Sequence, residues 1–218
     1  MSNITLIIGN KNYSSWSLRP WLYLKHFNIP FEEIRIPLYS EGSKEKILQY
    51  SPSGKVPAIK HGDANVWDSL AVMEYLADIY PTNGSWPEKS SARAFARSVS
   101  AEMHSGFFAL REYLPMNCRR VYKDFKPPES AVADIDRVKQ IWTECRERYG
   151  KQGPWLFGDF SIADCMYAPV VMRFHSYSVA VSPILQEYME SVKGHAAMVE
   201  WIADSKAETE VIASVELD

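Results

Sequence analysis

The sequence predicts an α/β domain followed by an all-α domain, and three observations predict it. Strand-like runs, β-branched or alternating, occur only before residue 68. A stretch with two prolines, a glycine and no period, PTNGSWP over 81–87, interrupts the chain. Beyond it no alternation is sustained, and apolar residues recur at helical spacing. The expected division is 1–80 for the α/β part, with the order βαβ-α-ββα, 81–88 for a linker, and 89–218 for a helical domain.

The elements follow in order. Residues 4–8, ITLII, read as a buried strand, ended by the turn residues of 9–15. Ser15 can cap a helix over 16–27, in which Leu18, Trp21, Leu22 and Leu24 give the apolar face and Pro20 lies near the first turn. Residues 31–36 alternate as a second strand, and 43–50 form a short polar helix. Strands over 57–60 and 64–67 flank the turn at Gly62, and a helix from Ser69 carries Leu70, Met73, Leu76 and Tyr80 before Pro81 stops it. In the second half, 90–120, 129–149, 161–179, 182–192 and 196–206 read as helices.

Composition narrows the function. A chain of 218 residues with 46% hydrophobic and 23% charged residues can bury a sizeable core. Its net charge of -3 supplies no basic excess for a nucleic-acid partner, and no apolar run approaches the roughly 18 residues of a membrane span. The N-terminus lacks a basic region and cleavage site, so a cytoplasmic location is expected. Cys118, Cys145 and Cys165 are widely spaced and odd in number, which suits reduced, buried thiols. The histidines show no H-x-x-x-H spacing, and neither a phosphate loop nor a nucleophile elbow occurs, so no metal site is expected.

The chain is organised around Val56-Pro57 and the Asp68-Ser69 pair. A proline after a β-branched residue can only open or edge a strand, and it forces Val56 extended. A cis bond there would turn the Val56 amide and carbonyl sideways, toward a peptide-like ligand. Asp68 and Ser69 open a helix whose first amides are expected to be free and to face the same place.

This pairing resembles the glutathione site of the cytosolic glutathione transferases, whose N-terminal half has the thioredoxin-like order read above. The resemblance implies glutathione as co-substrate, with Val56 and Pro57 holding its cysteinyl part and Asp68 and Ser69 its γ-glutamyl end. Lys55 is a weaker candidate for the glycyl carboxylate. An S-x-x-D capping box, Ser161 and Asp164, matches the one these proteins carry on a buried helix, and its expected role is folding. The run EMHSGF with the following LR and LPMN looks like a stretch shared by a group of bacterial transferases. A homodimer and a small apolar electrophile are implied in turn.

The chemistry belongs in the loop after the first strand, because a thiol needs ionising and helix N-termini with hydroxyl donors favour the thiolate. Laid through Trp16 and Arg19 on the zeta-class segment SSCSWRVR, the loop places Ser14 on the cysteine, and Asn12 and Tyr13 on the two leading serines. Ser14 is the first candidate donor, with Asn12, Ser15 and Tyr13 as alternatives and helix capping as the other role open to Ser15. Arg19 is expected in an internal ion pair. In the second half Met103, Phe107, Leu110 and Leu114 share an apolar face, whereas His104, Phe108 and Arg111 fall off it and are candidates for the electrophile pocket. The leading function is a glutathione transferase. The alternatives are a glutathione-dependent cis-trans isomerase of the maleylacetoacetate type, weakened by the missing leading serines, and a binding module without turnover.

Overall fold

The computed structural model describes residues 3–217. Four strands, β1 (Ile4–Ile8), β2 (Phe31–Arg35), β3 (Ala58–His61) and β4 (Ala64–Trp67), form one sheet in the order β2-β1-β3-β4. β1 runs parallel to β2 and antiparallel to β3, which is itself antiparallel to β4. The parallel pair requires a crossover, supplied by α1 (Ser15–His26). α2 (Ser43–Leu48) and α3 (Ser69–Ile79) complete the thioredoxin-like part.

The central strand explains the layering. Ile4, Leu6 and Ile8 alternate to one face, where they join α1 and α3 in the main core. Ile7 points to the other face and meets Ile36, Ile47 and Ala58 beneath α2. A strand covered on both sides reads as a continuous apolar run, as ITLII does.

The second half is helical: α4 (Ser90–Ser105), α5 (Phe108–Tyr113), α6 (Glu129–Arg148), α7 (Ile162–Ser176), α8 (Pro183–Gly194) and α9 (Ala196–Ala207). α7 is buried almost all round, packed by α1, α4 and α8. It therefore lacks a polar stripe. Its start is fixed by the expected capping box, with Ser161 and Asp164 bonded reciprocally and Asp164 also accepting from the Leu156 amide at 3.0 Å. One hydrophobic core runs through α1 into α7 and α9, where Trp21 and Trp201 meet edge to face at 5.0 Å.

The expected helix over 90–120 is broken. α4 ends at Ser105, Gly106 is extended, and Phe107 takes a left-handed conformation at φ 58° before the short α5 begins. A Cβ on Gly106 would lie 2.9 Å from the Glu102 carbonyl oxygen, so glycine allows this exit. Arg111 then folds back onto the freed carbonyls of Met103 and Gly106. The apolar spacing survives the break, since Met103, Phe107, Leu110 and Leu114 are all buried. The start of the expected linker is a single 3-10 turn, Pro81–Asn83.

Candidate functional site

Val56-Pro57 is cis, as expected from the sequence. β3 starts only at Ala58, so Val56 stands outside the ladder. Val56 and Pro57 join Ser53, Lys55, Trp67, Asp68, Ser69 and Trp16 around one cleft of about 410 Å³. That volume falls within the roughly 300–1,000 Å³ typical of small-molecule sites. Five of the residues singled out from sequence thus converge there: Lys55, Val56, Pro57, Asp68 and Ser69. Trp16 and Trp67 were not singled out. Trp67 is 44% exposed at the end of the edge strand, and its position beside Asp68 was the available signal.

The N-terminus of α3 differs from expectation in one respect. Its first amides are not free, because Asp68 Oδ1 caps the helix and accepts from Leu70 N at 2.9 Å and Ala71 N at 3.2 Å. An acidic residue just before a helix competes well for those amides, which is the ordinary N-cap. The other oxygen, Oδ2, lies 3.2 Å from His104 Nε2 on α4. Asp68 sits at φ 77°, ψ 136°, an unusual conformation for a residue other than glycine.

Ser69 is buried, and its hydroxyl accepts from the Arg19 guanidinium at 3.3 Å. The internal ion pair expected of Arg19 is not formed: among the described residues it bonds Ser69 and lies 4.4 Å over the Trp16 ring. Arg111 lies over the same ring at 4.7 Å, and the His104 imidazole meets it edge-on at 5.4 Å. Burial drives the Arg19 guanidinium down, with Arg111 and Arg173 pushing the same way. Burial likewise holds His104 below its ordinary 6.5, opposed by Asp68 and assisted by Arg19 and Arg111.

The loop after β1 sorts the four candidate donors. Ser14, not Ser15, caps α1: its hydroxyl oxygen accepts from Ser17 N at 3.4 Å and is bonded to Ser17 Oγ at 2.7 Å. Ser17 Oγ in turn accepts from Gly9 N at 3.0 Å. Ser15 is the first helical residue, and its hydroxyl accepts from Arg173 on α7. Asn12 is fully buried, with its side-chain oxygen accepting from Arg119 N and its backbone N–H donating to Glu208. The Tyr13 hydroxyl is held between Arg119 and Glu216, and burial raises its pKa. Asn12 and Tyr13 therefore anchor the loop to the C-terminal segment. None of the four borders the cleft directly; Trp16, two residues past Ser14, does.

The electrophile-pocket candidates separate. His104 turns to Asp68, Arg111 is committed to the end of α4 and to Trp16, and Phe108 is 74% exposed outside the cleft lining. The cysteines are free and buried, and Cys118 is raised to about 12 by burial. No cluster of metal-ligating side chains occurs among the described residues.

The profile of the glutathione S-transferase N-terminal domain matches residues 13–79, and that of the C-terminal domain matches residues 128–204. A maleylacetoacetate isomerase of Mus musculus is 33% identical over 177 residues, covering 78% of this chain and 77% of that protein.

The chain belongs to the glutathione S-transferase family.

Glutathione S-transferase 1 of Dianthus caryophyllus is 35% identical over 161 residues, covering 72% of this chain and 71% of its own. Among solved structures, a glutathione transferase homologue from Burkholderia, determined with bound glutathione, superposes with a TM-score of 0.73 at 22% identity, covering 94% of this chain and all of that one. In this transferase the helical domain supplies His104 and Arg111 to the surroundings of the cleft, and the thioredoxin-like domain supplies the cleft itself.

Proposed function

We propose that glutathione lies in the cleft between Trp16 and Trp67, with the Val56 backbone pairing its cysteinyl part and Asp68 Oδ2 its γ-glutamyl ammonium. Because Ser69 Oγ accepts from Arg19, its own proton is left for the γ-glutamyl carboxylate. Lys55, exposed at the cleft edge, serves the glycyl carboxylate. The observation that carries this reading is the convergence of Lys55, Val56, Pro57, Asp68 and Ser69 on one cleft.

The thiol is activated at the start of α1. The Ser17 amide donates to Ser14 Oγ, and with the Ser17 hydroxyl as donor in the Ser14–Ser17 pair the Ser14 proton is left to donate. A hydroxyl so arranged, at a helix N-terminus, favours the glutathione thiolate that attacks a small electrophile. Glutathione is the co-substrate of this transferase. Titration calorimetry with glutathione, followed by turnover of a chromogenic aryl halide, tests the assignment; absence of glutathione binding would overturn it.

A second reading is glutathione-dependent cis-trans isomerisation, favoured by the 33% identity to a maleylacetoacetate isomerase. Conversion of a cis-enone diacid without consumption of glutathione distinguishes it from conjugation. The proposal includes a cytoplasmic location and a homodimer, the latter supported by the exposed Phe108 on α5. Light scattering at the mass of one chain, across micromolar concentrations, would count against the dimer.

A further inference from the structure

The two oxygens of Asp68 have different duties. Oδ1 is committed to the amides of Leu70 and Ala71, so any ligand ammonium must come to Oδ2. That oxygen already has a neighbour from the other domain, His104 Nε2 at 3.2 Å. The imidazole is held in place by its edge contact with Trp16, and its Nδ1 is enclosed without a hydrogen-bond partner among the described residues. An enclosed nitrogen with no acceptor carries no proton, which leaves the ring proton on Nε2, pointing at Asp68.

We infer that His104 is a positioning residue for glutathione: as a neutral imidazole it orients the Asp68 carboxylate without neutralising it, and when protonated it competes with the γ-glutamyl ammonium for that charge. The inference rests on the reading of Asp68 as the ammonium ligand. The charged groups facing the ring are Asp68 at the start of α3, Arg19 from α1 and Arg111 from α5. Burial and the two arginines oppose a second positive charge there, so the neutral form prevails at neutral pH, and Asp68 keeps its full charge for the ligand.

Coupling between two ligands of one group is reciprocal: the proton weakens glutathione by the factor by which glutathione weakens the proton. Ordinary coupling spans about 5- to 150-fold, and a carboxylate as solvent-exposed as Asp68 belongs near the lower end, about fivefold.

The test is titration calorimetry of S-methylglutathione, whose capped sulfur has no proton to lose, between pH 8 and pH 5, on wild type, His104→Gln, His104→Leu and Asp68→Ala, with its desamino counterpart S-methyl-glutaryl-cysteinyl-glycine as a second ligand. Wild type loses about fivefold in affinity on acidification. His104→Gln offers a neutral N–H that cannot titrate, so it keeps the neutral-pH affinity and gives a flat profile. His104→Leu binds more weakly at neutral pH and is also flat. The desamino ligand, having no ammonium, shows no acid loss with any form. If His104→Gln retains the wild-type acid loss, or both His104 variants match wild type at every pH, the inference is overturned. Asp68→Ala reports on the underlying reading alone: should it bind S-methylglutathione as wild type does, the ammonium assignment fails. Weakened binding by Asp68→Ala with unaltered His104 variants removes only the role of His104.

Discussion

Replacing Asp68 by asparagine and by alanine separates two contributions that the structure assigns to different oxygens. Alanine removes the N-cap of α3, which holds the Leu70 and Ala71 amides at 2.9 and 3.2 Å. Loss of such a cap costs about 1 kcal/mol, within a range of roughly 0.5 to 2. For a chain of this length that lowers Tm by about 2–4 °C. Asparagine keeps an acceptor for the cap and loses only the charge, so its Tm stays close to wild type. Both variants lose the charge-assisted bond to the γ-glutamyl ammonium. Such a bond contributes about 1.5 to 3 kcal/mol, and the 41% exposure of the Asp68 side chain favours the lower figure. An affinity loss of about tenfold is therefore expected from either substitution. Calorimetry with glutathione and thermal unfolding of the same samples check the two effects together. Wild-type affinity in Asp68→Asn would refute the ammonium assignment, and an unchanged Tm in Asp68→Ala would refute the cap.

Three other outcomes are expected. Ser14→Ala raises the apparent pKa of bound glutathione and lowers kcat at neutral pH while leaving binding largely intact, and it loses about 1 kcal/mol of stability with the α1 cap; Ser15→Ala spares the cap. Ultraviolet absorbance of bound thiolate against pH reads the first effect, and full thiolate formation in both variants would show that the helix N-terminus acts alone. Asp164→Ala strands the Leu156 amide and the amide and hydroxyl of Ser161, and loses about 3 kcal/mol or more by denaturant unfolding. Burial takes the Asp164 carboxyl from 3.8 up to about 6, so folding binds a proton in that window and this group's contribution to stability falls as pH rises from about 4 to about 6. Asp164→Asn removes that part of the slope, which a series of unfolding curves against pH will show or deny. Arg111→Ala uncovers the carbonyls of Met103 and Gly106 and destabilises by about 1–3 kcal/mol, and lysine does not restore the loss because one ammonium cannot reproduce the guanidinium fork.

The residues whose role depends on backbone chemistry were legible early. Val56-Pro57 announced a bent strand entrance because proline admits few alternatives, and Ser161 with Asp164 announced a cap because the spacing matches one turn of helix. Asp68 was expected at the start of a helix, where it stands, but its capping of that helix was missed. A sequence shows that a carboxylate precedes a helix; it does not show which oxygen turns inward. The α1 cap was expected at Ser15 and is Ser14, because periodicity does not place a helix start to one residue. The break at Gly106 was hidden for a related reason, since the apolar spacing continues across it.

By itself, the sequence determined the order of strands and helices and the apolar faces that form one core, because these follow from local steric limits and from periods of two and 3.6 residues, whereas the pairing of Val56-Pro57 with Asp68-Ser69 was legible through a family resemblance. Tertiary structure alone decided what meets across the two halves. Arg19 and Arg111 close on the same Trp16 ring, Asn12 and Tyr13 are taken by Arg119, Glu208 and Glu216, and His104 reaches Asp68. Apart from Arg19 and Trp16, neighbours three apart on α1, these partners lie 36 to 203 positions apart in the chain, by the numbering of the Asp68–His104 and Tyr13–Glu216 contacts, where no local period operates and only packing selects the neighbour.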